Sequence, residues 1–423
     1  MERAMRYEAL VQEMKGFLGA PPLQERQRHS LRVARWAQRL CASQDVVDTE
    51  LVVTAAILHD IGYSVKREGH SLHSAELVRR YGKSFSFENK SDKFLLNLEY
   101  IIRNHSRKEW LQRRDIPCEE VPLELILLME ADLLDGCGPM SIMKDCFCEG
   151  QQACQSFEKT FSRIRSNGAS QLACNPMVTE EARAFWRERQ CFTELFLEHL
   201  ILDLGSEMEV PFDRDREALA FMEDVMRGRD LVPNRMGIIF PFRQRSAHMC
   251  RAYWWALRLM SCLQESEALR MAVIFHDVGY SVTSDGIAHA YDSSRICAEY
   301  LRRAGYEETF IQKVTWMIDR HSDKRYLTRT DNPLEFQLLL EADHLDETGA
   351  LAILWDCMAE GANPNVTYGD AYEHILKYSG RMREDNPLKT EAARGYWSRK
   401  QGLVDRFIKL IQFDLETIAI NIK

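Results

Sequence analysis

The sequence has no CxxC pair, no apolar run long enough to span a membrane, no basic excess and little strand-like alternation. Each absence closes a class. The twelve cysteines are irregularly spaced, with one CxC at Cys146-Phe-Cys148. They read as scattered core and surface thiols rather than a zinc or redox site. Stretches such as LVVTAAIL fall well short of the roughly 18 apolar residues that a span needs. MERAMRYEALVQEMKGF reads as an amphipathic helix, without the apolar core of a signal peptide. No membrane partner is therefore expected, and so many free thiols point to a reducing, cytoplasmic setting. The formal net charge of −9 argues against nucleic acid as a partner. It leaves room for a local basic site that takes a small phosphorylated molecule.

What is present is an ordinary globular composition, 45% hydrophobic and 28% charged, written twice. AAILHDIGYSV (55–65) returns as MAVIFHDVGYSV (271–282). EADLLDGCGPMSIMKDCFCEG (130–150) returns as EADHLDETGALAILWDCMAEG (341–361), and NPMVTEEARAFWRERQ (175–190) as NPLKTEAARGYWSRKQ (386–401). The spacing is too long for a solenoid and marks a duplicated domain. The acidic, Gly- and Pro-containing stretch LDLGSEMEVPFDRD (202–215) separates the copies, giving domains 1–207 and 208–423. Both halves place apolar residues at spacings of three and four, as in ERQRHSLRVARWAQRLCAS and LEFQLLLEADHLD, while hairpin signals are absent. The expected fold is all-α, two helical bundles in one chain. Gly62, Gly82, Gly279 and Gly305 read as helix stops.

Eight of the twelve histidines form two matching series with acids in the same order. The first is His29, His59-Asp60, His70, His105 and Asp132; the second is His248, His276-Asp277, His289, His321 and Asp343. A histidine on an apolar helix face is usually a satisfied core residue. Aspartates inside apolar runs, such as Asp60 and Asp132, are harder to bury without compensation. Their recurrence in both halves points to metal. Imidazoles and carboxylates without thiolates suit divalent Mn, Fe, Co, Ni, Zn or Mg. The Asp of each His-Asp pair has two oxygens and can bridge two ions.

The ordered set His…His-Asp…Asp, with the HDIGY and HDVGY turns and the EADLLDGCG and EADHLDETG segments, resembles the HD superfamily of metal-dependent phosphohydrolases. The resemblance covers most of both halves and implies two tandem HD-type helical domains. It implies metal ligands His29, His59, Asp60 and Asp132, and in the second copy His248, His276, Asp277 and Asp343. His70, His105, His289 and His321 match histidines that hold a second metal or steady a phosphate. One or two divalent transition metals per domain follow. Tyr63 and Tyr280 stand where many members carry Lys; a Tyr can hydrogen-bond a phosphate but supplies no fixed charge.

The implied reaction is hydrolysis of a nucleotide or other small phosphorylated metabolite, with a metal-activated water attacking phosphorus. Asp60 and Asp277 serve as ligands and proton acceptors, with His70, His105, His289 and His321 in catalytic support. Arg107, Lys108, Lys324 and Arg325 are expected to balance substrate charge, and Tyr63 and Tyr280 to hydrogen-bond substrate. Asp135 and Asp346, three residues beyond the last ligand, lie on its helix face and are expected at the substrate or behind a ligand histidine. Glu130 and Glu341 are candidates for orienting a ligand. Trp186 and Trp397 read as core. Two other readings fit the residues: a dinuclear-iron oxygenase cleaving a C–P or C–C bond, and a nucleotide-binding regulator with one inactive half. The two halves are expected to pack as a pseudo-dimer.

Overall fold

In the computed structural model the chain is described over residues 2–19, 23–82, 87, 90–112, 121–205, 208–234, 236–260, 265–363, 365–383 and 385–415. Among these residues there are eighteen α-helices, several short 3-10 turns and no strand; a single bridge joins Leu231 and Gln244. The first copy runs through α1 (Glu2–Leu18), α2 (Gln24–Cys41), α3 (Thr49–Leu58), α4 (His70–Tyr81), α5 (Asp92–Asn104), α6 (Leu123–Asp135), α7 (Pro139–Gly150), α8 (Phe157–Leu172) and α9 (Glu180–Leu204). The second repeats them as α10 (Asp213–Met226), α11 (Arg245–Met260), α12 (Glu267–Phe275), α13 (Ala288–Arg303), α14 (Glu308–His321), α15 (Leu334–Leu345), α16 (Ala350–Gly361), α17 (Tyr368–Lys377) and α18 (Glu391–Leu415). The all-α, duplicated architecture expected from the sequence is the one observed. No helix among the described residues is long and apolar enough to cross a membrane.

The centre of each bundle is its most apolar helix. All of Leu51–Leu58 in α3 and all of Ala268–Phe275 in α12 are buried. Each helix is started by a side-chain cap: Asp48 accepts from the Leu51 amide, and Ser266 from the Leu269 amide. Such caps are worth about 1 kcal/mol each. Helix α3 packs against α2, α5 and α6, and α12 against α11, α14 and α15. Helices α2 and α5 bury one stripe each, Val33, Trp36, Ala37 and Leu40 on one and Phe94, Leu98, Ile101 and Ile102 on the other. Each fully buried Leu or Ile contributes about 1.5–3 kcal/mol over leaving it in water.

Two of the expected helix stops behave otherwise. Gly62 and Gly279 sit inside the 3-10 turns that follow α3 and α12. A Cβ on Gly62 would collide with the His70 carbonyl and Ser74, and one on Gly279 with the His289 carbonyl and Ser293. The Gly62 amide donates to Ser74 Oγ at 2.8 Å, and the Gly279 amide to Ser293 Oγ at 2.8 Å. The glycine therefore lets the His-Asp turn lie directly on the helix that begins with the third histidine.

The chain forms two compact units that do not follow the order of the copies. One comprises Met1–Ile142, Ser166–Glu194 and Leu410–Lys423; the other comprises Met143–Arg165 and Leu195–Lys409. The tail of α18 thus belongs with the first copy, and the tail of α9 with the second. In the first unit Arg189 pairs with Asp414, both buried, and Phe413 packs edge-on against Trp36. In the second, Lys400 pairs with Asp203, both buried. Aligned by the repeat, Arg189 corresponds to Lys400 and Asp203 to Asp414, so the two pairs are reciprocal.

Candidate metal centres

Local backbone geometry delivers the donors. His59 and His105 are the C-cap residues of α3 and α5, and each ring is fixed by its own helix. His59 Nδ1 lies 2.8 Å from the Ala56 carbonyl, and His105 Nδ1 lies 2.7 Å from the Ile102 carbonyl. That sets the tautomer and turns Nε2 inward. His276 and His321 repeat the arrangement on Val273 and Ile318 at 2.8 and 2.6 Å. His29 comes from α2, His70 opens α4, and Asp132 stands near the end of α6.

In the first unit these donors converge on Asp60. Its Oδ1 lies 3.5 Å from His59 Nε2, 3.4 Å from His70 Nε2 and 3.8 Å from His105 Nε2, while Oδ2 lies 3.6 Å from His29 Nε2. Asp132 Oδ1 is 3.1 Å from His29 Nε2 and 3.9 Å from His59 Nε2. In the second unit Asp277 Oδ1 lies 3.2 Å from His289, 3.3 Å from His321 and 3.8 Å from His276, and Oδ2 lies 3.7 Å from His248. Asp343 Oδ1 is 3.3 Å from His248 and 3.8 Å from His276. All twelve donor residues expected from the sequence are thus brought together, six in each unit.

The donor chemistry fits a metal. His29, His59 and Asp132 offer ligand atoms within 4.8 Å of one another, as do His59, Asp60 and His105; the second unit has the same two groups. His59 Nε2 is buried and has no hydrogen-bond partner, a costly state that a ligated ion relieves. Burial pushes the His105 imidazolium down to about 3 and that of His276 to about 4, so both stand neutral, the form a metal accepts. Burial opposes the charge on Asp132 and Asp343, but Lys108 and Lys324, at 2.7 and 2.6 Å, act together with His29 and His59 and with His248 and His276 to hold both well below the usual carboxylate range. Burial also opposes His29 and His248. Their carboxylate partners win, raising His29 to about 9 and His248 to about 10 in the metal-free site.

Behind the donors lies a second layer. Asp135 accepts from His29 Nδ1 at 2.7 Å and from Arg32 at 2.6 and 3.2 Å; Asp346 does the same for His248 at 2.7 Å and Arg251 at 2.8 and 2.9 Å. Both aspartates are buried. The expectation that Asp135 and Asp346 contact substrate is therefore corrected: their oxygens are consumed behind the first histidine. Arg107 and Arg325 are corrected too. Arg107 stacks on Trp110, and Arg325 pairs with Asp323 two residues away, because both side chains leave the 3-10 turn on its exposed side. Lys108 and Lys324 are the cations of those segments that reach the centres. Glu130 and Glu341 cap α9 and α18 instead of orienting a ligand. Glu130 accepts from the Val178 and Thr179 amides at 2.5 and 2.8 Å and from Thr179 Oγ at 2.7 Å; Glu341 accepts from Lys389, Thr390 and the Thr390 hydroxyl. Trp186 and Trp397 are buried in the cores as expected.

Besides Arg32 and Arg251, two residues escaped the sequence reading. Arg26 places NH1 3.3 Å from Asp60 Oδ2 and its guanidinium 4.2 Å above the Tyr63 ring. Arg245 does the same, 3.0 Å from Asp277 and 4.4 Å above Tyr280. The tyrosines in turn stack on His70 at 4.4 Å and His289 at 4.2 Å. The signal was present: Arg-x-x-His-x-x-Arg stands at 26–32 and again at 245–251. The cations beside the two tyrosines thus come from α2 and α11.

The family model described as HD domain matches residues 26–137 and 245–348, together just over half of the chain. No curated protein and no solved structure matches it.

Proposed function

The chain belongs to the HD-domain family, a superfamily of metal-dependent hydrolases that bind divalent metals, and within it we propose a phosphohydrolase with two centres, acting on a nucleotide or other small phosphorylated metabolite. The observation that carries this reading is the Arg–Tyr pair beside each central Asp. An anion meeting the donors there faces a guanidinium and a phenol at once. His29, His59, Asp60 and Asp132 would hold one ion, and Asp60, His70 and His105 an adjacent one; the second centre uses the corresponding residues. When bound, the ions acidify a water and polarise a phosphoryl oxygen.

The remaining work belongs to the chain. Arg26 and Arg245 bind phosphoryl oxygens and balance their charge. Burial raises the Tyr63 and Tyr280 phenols, so both keep the proton and act as hydrogen-bond donors to substrate. Lys108 and Lys324, with the neighbouring histidines, hold Asp132 and Asp343 ionised. Arg32–Asp135 and Arg251–Asp346 fix the rings of His29 and His248.

The test is phosphate or pyrophosphate release from a panel of nucleotides and phosphate esters, using protein purified without chelator and supplied in turn with Mn, Co, Ni, Zn or Fe. Turnover with several divalent ions supports hydrolysis. Two irons per unit together with oxygen consumption, and no phosphate release, would favour the dinuclear-iron oxygenase, which the six donors per unit also accommodate.

A further inference from the structure

The two centres share donors but not their rims. Three positions around the second centre change together relative to the first: Arg243 replaces Gln24, Glu347 replaces Gly136, and Trp355 replaces Lys144. These residues form one assembly. The Arg243 guanidinium lies 4.4 Å above the Trp355 ring, and its NH2 lies 3.3 Å from Glu347 Oε2. Glu347 Oε1 lies 3.8 Å from Arg251. Glu347 also joins the assembly to the support of the first histidine, because its carboxylate, that of Asp346 and a His248 nitrogen lie within 4.8 Å of one another, and Arg243 acts with Arg245 on the Tyr280 phenol beside the centre.

Two further observations mark the assembly as a site rather than packing. Glu347 has φ +52, the one positive value outside glycine among the described residues, whereas Gly136, which could adopt it freely, has φ −96. A strained backbone is kept where its side chain has a task, and here that side chain aims Arg243. The Nε donors of Arg243 and Arg245 are both buried without a partner. The second rim therefore places two guanidiniums two residues apart on one segment, each with a buried, unpartnered Nε, whereas the first has Arg26 alone at these positions and takes its second arginine, Arg67, from the loop after the His-Asp turn.

Resting on the phosphohydrolase reading, we propose that Arg243, aimed by Glu347 and Trp355, is an added anion subsite. It makes the second centre select a ligand with two adjacent phosphoryl groups. One phosphoryl group meets Arg245 and Tyr280 at the metal centre, and the other meets Arg243. Arginine suits this because its planar fork binds phosphoryl oxygens in pairs.

The experiment is calorimetric titration of the full, Mn-loaded chain with inorganic phosphate and with methylenediphosphonate, whose P–C–P link resists hydrolysis. Metal content is checked before and after. Methylenediphosphonate is expected to find one tighter site per chain. Arg243→Gln should weaken that site about tenfold, the worth of one charge-assisted hydrogen bond, and shift phosphate binding by less than about threefold. Arg243→Lys should fall between. Glu347→Gly, which restores the first copy's residue and relieves the strain, should lose the preference without lowering Tm. Equal effects of Arg243→Gln on both probes, or no site that prefers methylenediphosphonate, overturns the subsite while leaving the phosphohydrolase reading standing. Binding of neither anion at either centre overturns both.

Discussion

His70 and His289 occupy the same place in their bundles, yet the first side chain is 21% exposed and the second 4%. Arg26 and Arg245 differ alike, at 39% and 13%. The sequence shows where the cover originates. Five residues separate α1 from α2, but eighteen separate α10 from α11, and this longer segment carries Arg243. Its Arg229 also donates to the Ser281 carbonyl in the His-Asp turn at 3.3 Å. The following loops differ as well: Lys66 and Arg67 in the first copy are replaced by Thr283 and Ser284 in the second. The duplicated parts are thus those that set the positions of donors, and the divergent parts are those that cover them. That division is expected where chemistry is shared and specificity is not.

The comparison can be broken most directly at the central aspartates. Asp60→Asn and Asp277→Asn should each empty one unit of metal and cut turnover by its centre at least about a hundredfold, since even outer partners of a metal ligand cost about 10–100-fold. Metal content and activity measured on each variant with several substrates tell the centres apart. Identical substrate profiles would show that the rims do not matter.

The support layer should respond alike in both halves because its geometry is alike. Asp135→Ala and Asp346→Ala are each expected to weaken metal binding about 10–100-fold. Each also leaves a buried arginine unpaired, at a cost of about 3 kcal/mol, read from chemical denaturation of the metal-free protein. A much smaller loss in one half would mean that its arginine finds another partner.

Glu130→Ala and Glu341→Ala test the shared caps. Each strands two amides and a hydroxyl at a helix start, so a loss of about 2 kcal/mol is expected, with metal stoichiometry unchanged. Loss of metal instead would return these acids to the centres.

The smallest expected effect concerns protons. His29 and His248 lie above neutrality in the metal-free centres, at about 9 and about 10. A metal takes the neutral ring, so loading at pH 7 should release about one proton per unit from these histidines. Apparent affinity should rise with pH through about 9 in the first unit and about 10 in the second. Calorimetry in buffers of different ionisation enthalpy measures the release. A pH-independent affinity between 7 and 9 would show that the carboxylates do not hold these protons.

Much of this was legible before folding. Apolar periodicity marked the helices, and the doubled order of His, His-Asp, His, His and Asp marked the donors. Neither depends on anything beyond local geometry and the cost of burying a carboxylate. The tertiary structure decided the rest. Spacing places Asp135 on the face of Asp132, but only packing of α6 against α2 turns its oxygens to the back of His29 and to Arg32. Glu130 lies two residues before Asp132, and its cap on α9, 48 residues downstream, is a long-range contact that no local pattern encodes. The reciprocal tails are the clearest case. Residues 195–204 and 410–415 read as the ends of amphipathic helices, and nothing in that pattern says which core they complete. Arg189 and Lys400, each buried, settle it, because a buried charge requires a compensating carboxylate, and Asp414 and Asp203 supply it.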